Sequence, residues 1–282
     1  MHSIDAVRSC HVTRIEAGRV TTATDAVAAE APLEVRLNGE PFSVIMRTPG
    51  TDRDLVAGFL FSEGVVFTPS DVVAMTPGAD ASFDVILSAA RARDVPDLIG
   101  GRRHVTMNSS CGMCGRRSID SLHLGSRVDA PGGAWTVSPQ ALLSMPATLR
   151  QAQQAFSETG GLHGAGLFDR FGSLETSAED VGRHNAVDKL IGRMWLAGRL
   201  PLRDHALFVS GRLSFEIVQK ALLAGIPLIA AVSAPSSMAV DLGVDNGLTL
   251  VGFVRGDRFN IYAGGFRVLG SEVLGSVPGS TF

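Results

Sequence analysis

Two cysteines at close spacing are the residues of this chain best suited to covalent chemistry. Cys111 and Cys114 form a CxxC pair within the stretch Asn108–Arg117, and a glycine follows each cysteine. Thiols this close can share a metal ion, close a disulfide or hold a sulfur atom for transfer. The spacing alone does not choose among these three uses.

Basic side chains surround the cysteine pair. A thiol has an ordinary pKa of about 8.5, and neighbouring cations lower that pKa and favour the reactive thiolate. The glycines leave room for another sulfur atom to approach. The pair therefore has the surroundings of a reactive site if the loop folds these cations inward: Arg102, Arg103, Arg116 and Arg117.

A zinc site and a thioredoxin-type site are the alternatives. Structural zinc needs four ligands, and the only other cysteine is Cys10. No second CxxC or HxxxH pair completes the set, although four histidines could help: His2, His11, His104 and His123. In a thioredoxin-type site the motif opens a helix, whereas Gly115 and two arginines here open a loop. Both alternatives are therefore less favoured, and we expect no resident metal.

Composition indicates a packed globular protein. The chain has 282 residues, of which 45% are hydrophobic and 19% charged, with a net charge of -3. This balance argues against a surface for nucleic acid, so an anionic ligand needs a local basic site. The most apolar run, residues 226–232, is too short to span a bilayer. Few cysteines and no signal peptide predict a cytoplasmic protein without membrane contact.

The first hundred residues have the pattern of a β-rich α+β unit. Residues 1–11 lack periodicity and predict an irregular arm, and a short hairpin is expected over 12–16 and 20–24. Alternation over 33–37, followed by Asn38-Gly39, predicts a second hairpin with a return strand over 41–46. Thr51 predicts a helix N-cap with a near capping box, and Gly64 ends that helix. Further strands are predicted over 83–87 and 104–107.

The second half alternates strands and helices. Ser138-Pro139 predicts a helix start, and Pro146 predicts a break or kink in that helix. Near-continuous apolar strands predict a mostly parallel sheet covered on both faces. The strands are expected over 164–169, 173–177, 206–210, 226–232, 248–254 and 259–263, with helices over 183–197, 214–224 and 236–242. The expected organisation is an N-terminal domain over 1–107, a mobile cysteine loop over 108–137 and a C-terminal α/β domain over 138–282.

Polar residues concentrate at the start of the helix that begins near Arg183. Helix N-termini attract anions, and Arg183 and Lys189 would add positive charge. His184 and Asp188 are four residues apart and share a face, so the carboxylate could orient the imidazole. A capped helix with a solvated face would explain the same residues, and both interpretations stay open.

Two strand ends and one turn offer further anion sites. Ser210-Gly211-Arg212 follows one core strand and Ser233 follows the next, each before a helix start. In open α/β sheets ligands settle beyond the carboxyl ends of the strands. Arginines also flank the turn Gly256-Asp257, and arginine suits bidentate contact with phosphate or guanine. Ordinary N-capping by Ser214 and Ser236 and a solvated hairpin tip are the alternatives.

Several segments together resemble one protein family. They are Glu34–Gly39, Arg47–Gly50, Ser110–Gly115, Thr159–His163, Glu179–Lys189, Ser210–Glu216 and Ser233–Ser237. In this order they are similar to the formate dehydrogenase accessory sulfurtransferases, the FdhD-type sulfur carriers. The match runs from about residue 30 to 263, and the N-terminal arm with Cys10 lies outside it. Met238 stands where leucine is expected.

The resemblance implies a fold and an activity. The fold would be a three-layer α/β/α cytidine-deaminase-like C-terminal domain with the smaller β-rich N-terminal domain. The activity would be sulfur relay from a cysteine desulfurase to the bis-molybdopterin guanine dinucleotide cofactor, with molybdenum or tungsten, which formate dehydrogenase then receives. A homodimer is also implied.

The resemblance also implies site residues. Cys111, with Cys114, would carry the persulfide. By the resemblance, contacts with the cofactor, or with GDP as its mimic, would come from Phe253, Val254, Arg255, Gly256, Asp257 and Arg258. The helix starts and strand ends described above add the expected contacts His184, Ser210, Gly211, Arg212 and Ser233. A zinc-stabilised cofactor chaperone without transfer chemistry is the alternative function.

Overall fold

The computed structural model describes residues 6–93 and 135–270. Within these ranges the N-terminal elements are β1 (Val7–Glu16), β2 (Arg19–Ala28), β3 (Ala31–Leu37), β4 (Glu40–Arg47), α1 (Asp52–Ser62), β5 (Val72–Pro77), β6 (Ser82–Leu87) and α2 (Ala89–Ala92). The later elements are α3 (Pro139–Ala152), α4 (Gln154–Thr159), β7 (His163–Phe168), β8 (Leu174–Asp180), α5 (Arg183–Leu196), β9 (Ala206–Val209), α6 (Phe215–Leu223), β10 (Leu228–Ala231), α7 (Ser237–Asp245), β11 (Thr249–Arg255) and β12 (Arg258–Ala263).

The first hairpin is longer than the sequence pattern predicts. β1 and β2 pair along their whole length, from Val7 opposite Ala28 to Glu16 opposite Arg19. Ala17 and Gly18 form the turn with φ values of 48° and 80°, the conformation that a two-residue hairpin turn requires. The irregular arm predicted over 1–11 is therefore wrong for residues 7–11. Most side chains on both faces are exposed, so no apolar alternation marks the strand.

A four-stranded sheet with the order β4-β3-β6-β5 follows the hairpin. The predicted β3–β4 hairpin is confirmed, with Asn38 and Gly39 at positive φ in its turn. Thr51 is the N-cap of α1, but its side chain makes no capping hydrogen bond, so the near capping box is not formed. β5 was not predicted from the sequence, because the short apolar stretch that forms it ends in Pro77. One face of the sheet packs on α1, and this core includes Leu33, Val35, Leu55 and Leu60.

Two glycines allow α1 and α5 to cross with their backbones in contact. A Cβ on Gly58 would lie 1.9 Å from the Asp188 carbonyl oxygen, and one on Gly192 would lie 1.9 Å from the Asp54 carbonyl oxygen. No side chain fits at either position. Ion pairing and hydrogen bonding flank the crossing, with Arg193 Nε donating to Asp54 at 2.9 Å and Ser62 Oγ donating to Asp188 at 2.9 Å.

A six-stranded mixed sheet with the order β12-β11-β10-β9-β7-β8 forms the C-terminal part. β9, β10 and β11 are parallel neighbours, whereas β12 is antiparallel to β11. The prediction of a mostly parallel sheet is thus confirmed only for its centre. The fold is α/β with a β-rich N-terminal region and a mixed C-terminal sheet with helices.

The helix with Pro146 is continuous. α3 runs through this proline, so the predicted break is wrong, whereas the alternative of a kink stays a prediction. Leu142, Met145 and Leu149 are buried on one side of the helix, and this packing outweighs the hydrogen bond that a proline removes. Ser138 begins the helix as predicted, because its hydroxyl oxygen accepts from the Ala141 amide at 3.1 Å.

The chain groups into two compact units. Unit 1 contains Met1–Leu124, Gln151–Ala165 and Ser177–Leu200, and unit 2 contains Gly125–Arg150, Gly166–Thr176 and Pro201–Phe282. The unit boundaries after Ala165 and Thr176 fall within β7 and β8. Nearly all of the predicted cysteine loop over 108–137 lies outside the described residues, and the linear domain division stays a prediction.

Candidate functional site

In unit 2 the ends of two parallel strands meet the turn between β11 and β12. Leu213 and Pro235 form an isolated parallel bridge just beyond β9 and β10. The Leu213 amide donates to Ala234 at 3.1 Å, and the Phe253 amide donates to the Ser233 carbonyl at 3.2 Å. We call the segments 210–214, 233–236 and 253–258 the strand-end site. The structure thus brings together the predicted residues Ser210, Gly211, Arg212, Ser233 and Phe253–Arg258.

A tight backbone contact shapes the centre of the strand-end site. A Cβ on Gly252 would lie 3.1 Å from the Ser233 oxygen and 3.2 Å from the Pro235 ring. Phe253 follows with a φ of 53°, an uncommon value for a residue with a bulky side chain. The β11–β12 register shifts between Gly252 and Arg255, so a bulge accompanies this conformation. Such bulges redirect side chains beside ligand sites.

Arg255 is held by its neighbours. Its Nε donates to the Val232 carbonyl at 2.9 Å, and its guanidinium carbon lies 5.6 Å from the centre of the Phe253 ring. Arg258 is exposed across the turn, which Gly256 completes with a φ of 57°. One arginine is therefore fixed in direction and the other is open to solvent.

Two helix N-termini begin at the strand-end site. α6 and α7 start after Ser214 and Ser236, next to the ends of β9 and β10. Ser236 caps its helix, since its hydroxyl accepts from the Ala239 amide at 3.4 Å, whereas Ser214 does not cap in this way. The capping explanation therefore accounts for Ser236 alone. Helix N-termini together with arginines at positions 212, 255 and 258 can bind phosphate groups.

The segment Glu179–Lys189 belongs to unit 1, where it forms a buried polar network. Lys189 Nζ lies 2.7 Å from an Asp180 carboxylate oxygen and donates to the carbonyls of Thr48 at 2.9 Å and Glu179 at 3.1 Å. The side chains of Lys189 and Asp180 are 2% and 0% exposed. All three ammonium protons are thus committed, and the suggestion that Lys189 adds charge to an anion site is wrong.

Asp180 joins this network to the loop after β4. Its carboxylate accepts from the amides of Thr48 and Gly182 at 3.0 and 2.8 Å and from the Asn185 amide group at 2.9 Å. Asn185 also donates to the Met46 carbonyl at 2.7 Å. Sequence reasoning missed this structural role, because Thr48 and Asp180 are 132 positions apart. Two sequence features could have indicated this role: the Thr48-Pro49 turn and the cluster of polar residues at the start of α5.

His184 lies in the first turn of α5 and is 5% exposed. The predicted His184–Asp188 pairing stays a prediction, although Asp188 accepts from Ser62. His184 and the strand-end site belong to different units, so the structure does not by itself group them.

His163 at the start of β7 has an altered acidity. Burial lowers the pKa of His163 below its ordinary value of 6.5, and Arg183 and then His184 lower it further, while Asp180 opposes them. The imidazole therefore favours its neutral form at neutral pH.

Cys111 and Cys114 lie outside the described residues, as do Arg102, Arg103, Arg116 and Arg117. Cys10 is described, and it lies on β1 opposite Asp25. Among residues 6–93 and 135–270, no cluster of three or more acidic, histidine or cysteine side chains could hold a metal ion. No helix in these ranges is both long and apolar enough to cross a membrane.

We expect Lys189→Met to lower the free energy of unfolding by about 3–5 kcal/mol, because it leaves the buried Asp180 charge without its partner. Urea denaturation measures the change. Glu34→Gln is the control, since it removes an exposed ion pair with Arg36 at 3.5 Å, which contributes at most about 1 kcal/mol. Equal effects of the two substitutions would contradict the structural role of the network.

We expect His163 to make the protein less stable below pH 6.5. Its folded pKa is lowered, so the unfolded chain binds a proton at higher pH than the folded chain does. The contribution is fully present above the unfolded pKa and is lost as pH falls through 6.5 towards the folded pKa. Urea unfolding at several pH values should give a shallower decline for His163→Gln than for the wild type. Identical pH profiles would count against this assignment.

Comparison with known proteins identifies the family. Residues 28–269 match the FdhD/NarQ family. A sulfur carrier protein FdhD from Streptomyces avermitilis is 48% identical over 272 residues, covering 91% of this chain and 94% of that protein. The FdhD protein of Mycobacterium tuberculosis is 46% identical over 267 residues, covering 91% and 96%.

A known structure agrees with this match. The crystal structure of a formate dehydrogenase accessory protein from Desulfotalea psychrophila is similar, with a TM-score of 0.75 and 26% identity. The similarity covers 94% of this chain and 100% of that one. On the family match and these identities, the chain belongs to the FdhD/NarQ family.

Proposed function

We propose that this protein is a sulfur carrier that delivers persulfide sulfur to a molybdenum cofactor for formate dehydrogenase. The family match supports this most directly, because it covers residues 28–269 and includes Cys111 and Cys114. The relatives that match along nearly the whole chain are named sulfur carriers. Formate dehydrogenase would be the enzyme served, and the cytoplasm the compartment.

The first chemical step is sulfur uptake by Cys111. Its thiolate attacks the outer sulfur of a persulfide on a cysteine desulfurase, and the sulfur–sulfur bond of that persulfide breaks. The desulfurase cysteine leaves as a thiolate, and Cys111 now bears the persulfide. No net oxidation occurs, so the step needs only an accessible thiolate on this chain.

Release of the sulfur as sulfide requires two electrons, and Cys114 can supply them together with Cys111. The Cys114 thiolate attacks the inner sulfur, which forms a Cys111–Cys114 disulfide and expels hydrosulfide to the metal of the substrate cofactor. A thiol reductant then restores the dithiol. The CxxC spacing suits this pairing.

The strand-end site suits the nucleotide ends of a bis-molybdopterin guanine dinucleotide substrate. Such a substrate carries pyrophosphates and guanines, which match two helix N-termini and arginine side chains. The hydrogen bond to the Val232 carbonyl orients Arg255, whose guanidinium lies beside the Phe253 ring. The guanidinium and the ring together are suited to binding a planar base. Contact of His184 with the same substrate stays a prediction from the sequence.

A cytidine-deaminase-like arrangement of residues 138–282 is part of the proposal, but deaminase chemistry is not. The zinc deaminases use a histidine followed two residues later by glutamate. No histidine in this sequence is followed in that way. The likeness would concern the sheet and its ligand-binding edge.

A zinc-stabilised cofactor chaperone is the second candidate. The CxxC pair favours it, because two thiolates are half of a structural zinc site. Metal analysis separates the two functions: stoichiometric zinc that is lost in Cys111→Ala would support the chaperone.

We expect Cys111→Ser to abolish persulfide formation. Purified protein incubated with a cysteine desulfurase and cysteine should gain the mass of one sulfur atom, as measured by intact-mass spectrometry. Cys10→Ser is the matched control and should keep the adduct, since Cys10 lies on β1 before the family match begins. An undiminished adduct in Cys111→Ser would refute the proposed carrier.

We expect Arg255→Ala and Arg258→Ala each to weaken GDP binding about tenfold or more, because each removes a charge-assisted contact of about 1.5–3 kcal/mol. Isothermal titration calorimetry measures the dissociation constant. Arg170→Ala is the control, because it removes the same charge from an exposed residue in the turn between β7 and β8. This variant should leave GDP binding unchanged. The strand-end site would be wrongly placed if all three variants bound GDP alike.

A further inference from the structure

Among residues 6–93 and 135–270, no strand pairs with the outer edge of β1, which leaves this edge available to another strand. Among the described residues, β1 and β2 form a sheet of their own with ten cross-strand pairs and no register shift. Neither strand contains a proline, and every residue from 13 to 22 is exposed. Proteins normally protect long regular edges with bulges, prolines or covering segments. A two-stranded hairpin is also only marginally stable alone, and more strands stabilise it.

The turn fixes which backbone groups of β1 point outward. In a two-residue turn the closing pair, here Glu16 and Arg19, exchanges both hydrogen bonds. Bonded and non-bonded pairs then alternate along the hairpin. The outward-pointing amides and carbonyls therefore belong to Ser9, His11, Thr13 and Ile15, which are all exposed.

The edge of β2 is less open at its base. A Cβ on Gly161 would lie 3.2 Å from the Ala28 Cβ and 3.9 Å from the Ala28 amide nitrogen. The glycine turn after α4 thus approaches the end of β2. The outer edge of β1 is the freer of the two.

The charges along β1 complement a second copy of the same strand. An antiparallel pairing centred on Val12 places Arg8 of each copy opposite Glu16 of the other. A pairing centred on His11 would instead place Arg8 opposite Arg14, and like charges directly opposite are destabilising. Both centres satisfy the outward hydrogen-bonding pattern, so charge selects the one at Val12.

Exposed apolar side chains at the hairpin tip favour the same contact. Ile15 and Val20 are cross-strand neighbours and are 69% and 64% exposed. In the pairing centred on Val12, Ile15 lies opposite Ser9 of the second copy. The added strand therefore covers part of this apolar surface.

We propose that β1 pairs with β1 of a second copy across a twofold axis at Val12, which joins the two hairpins into a four-stranded antiparallel sheet. The interface lies outside the segment matched by the family, which begins at residue 28. It does not depend on sulfur transfer, so a failure here leaves the proposed function standing.

Proline substitutions on the two edges test the interface. Thr13→Pro removes an outward amide of β1 without breaking a bond inside the hairpin, because Thr13 and Thr22 are a non-bonded pair. Thr22→Pro does the same on the edge of β2 and is the matched control. Sedimentation equilibrium should show a dimer whose dissociation constant rises at least tenfold in Thr13→Pro and stays within about threefold in Thr22→Pro. A monomeric wild type, or weakening in Thr22→Pro alone, would overturn the proposal.

Cross-linking provides a readout that does not depend on proline being tolerated. In the proposed pairing the two Val12 residues face each other as a non-bonded pair, whose Cα separation of about 4.5 Å lies within the range of about 4.4–6.8 Å that a disulfide spans. Val12→Cys, with the three native cysteines changed to serine, should give a reductant-sensitive dimer on mild oxidation. Thr22→Cys in the same background should stay monomeric on denaturing gels. Equal cross-linking of the two variants would exclude the register at Val12.

Discussion

The ion pair between Lys189 and Asp180 is the interaction on which unit 1 depends. Burying two charges costs several kcal/mol for each ion unless hydrogen bonds surround them. Here both groups are fully engaged, through Thr48, Glu179, Gly182 and Asn185. A lysine of this kind has one stable arrangement, so the β4–α1 loop, the end of β8 and the start of α5 are fixed together.

Unit 2 uses backbone geometry rather than buried charge to build its site. Three parallel strands bring their carboxyl ends to one edge, and the bridge from Leu213 to Pro235 holds two of the loops beyond them. Gly252 lets the β11–β12 turn approach Ser233 closely, and Phe253 adopts a left-handed conformation there. The polar side chains at this edge therefore stand on a rigid base.

The sequence predicted elements with local signals well. Asn38-Gly39, Ser138-Pro139 and the apolar runs of the central sheet each carry their own marker, and the corresponding turn, helix start and strands were found. The predictions were poorer for elements whose structure depends on contacts with residues far away in the sequence. Packing keeps α3 continuous through Pro146, and hairpin pairing orders residues 7–11 despite their weak pattern. The grouping of strand ends was predictable from topology, whereas the burial of Lys189 required knowledge of Thr48, which is 141 positions away.

The crossing of α1 and α5 has a mechanical consequence. Where Gly58 meets the Asp188 carbonyl and Gly192 meets the Asp54 carbonyl, main chain touches main chain, and no pliable side chain lies between. Sliding of one helix along the other would drive these carbonyls into the opposing backbone. The two helices are therefore locked against axial displacement. A side chain at Gly58 or Gly192 would therefore push the two helices apart, since the atoms it would meet are backbone atoms that no rotamer change can move.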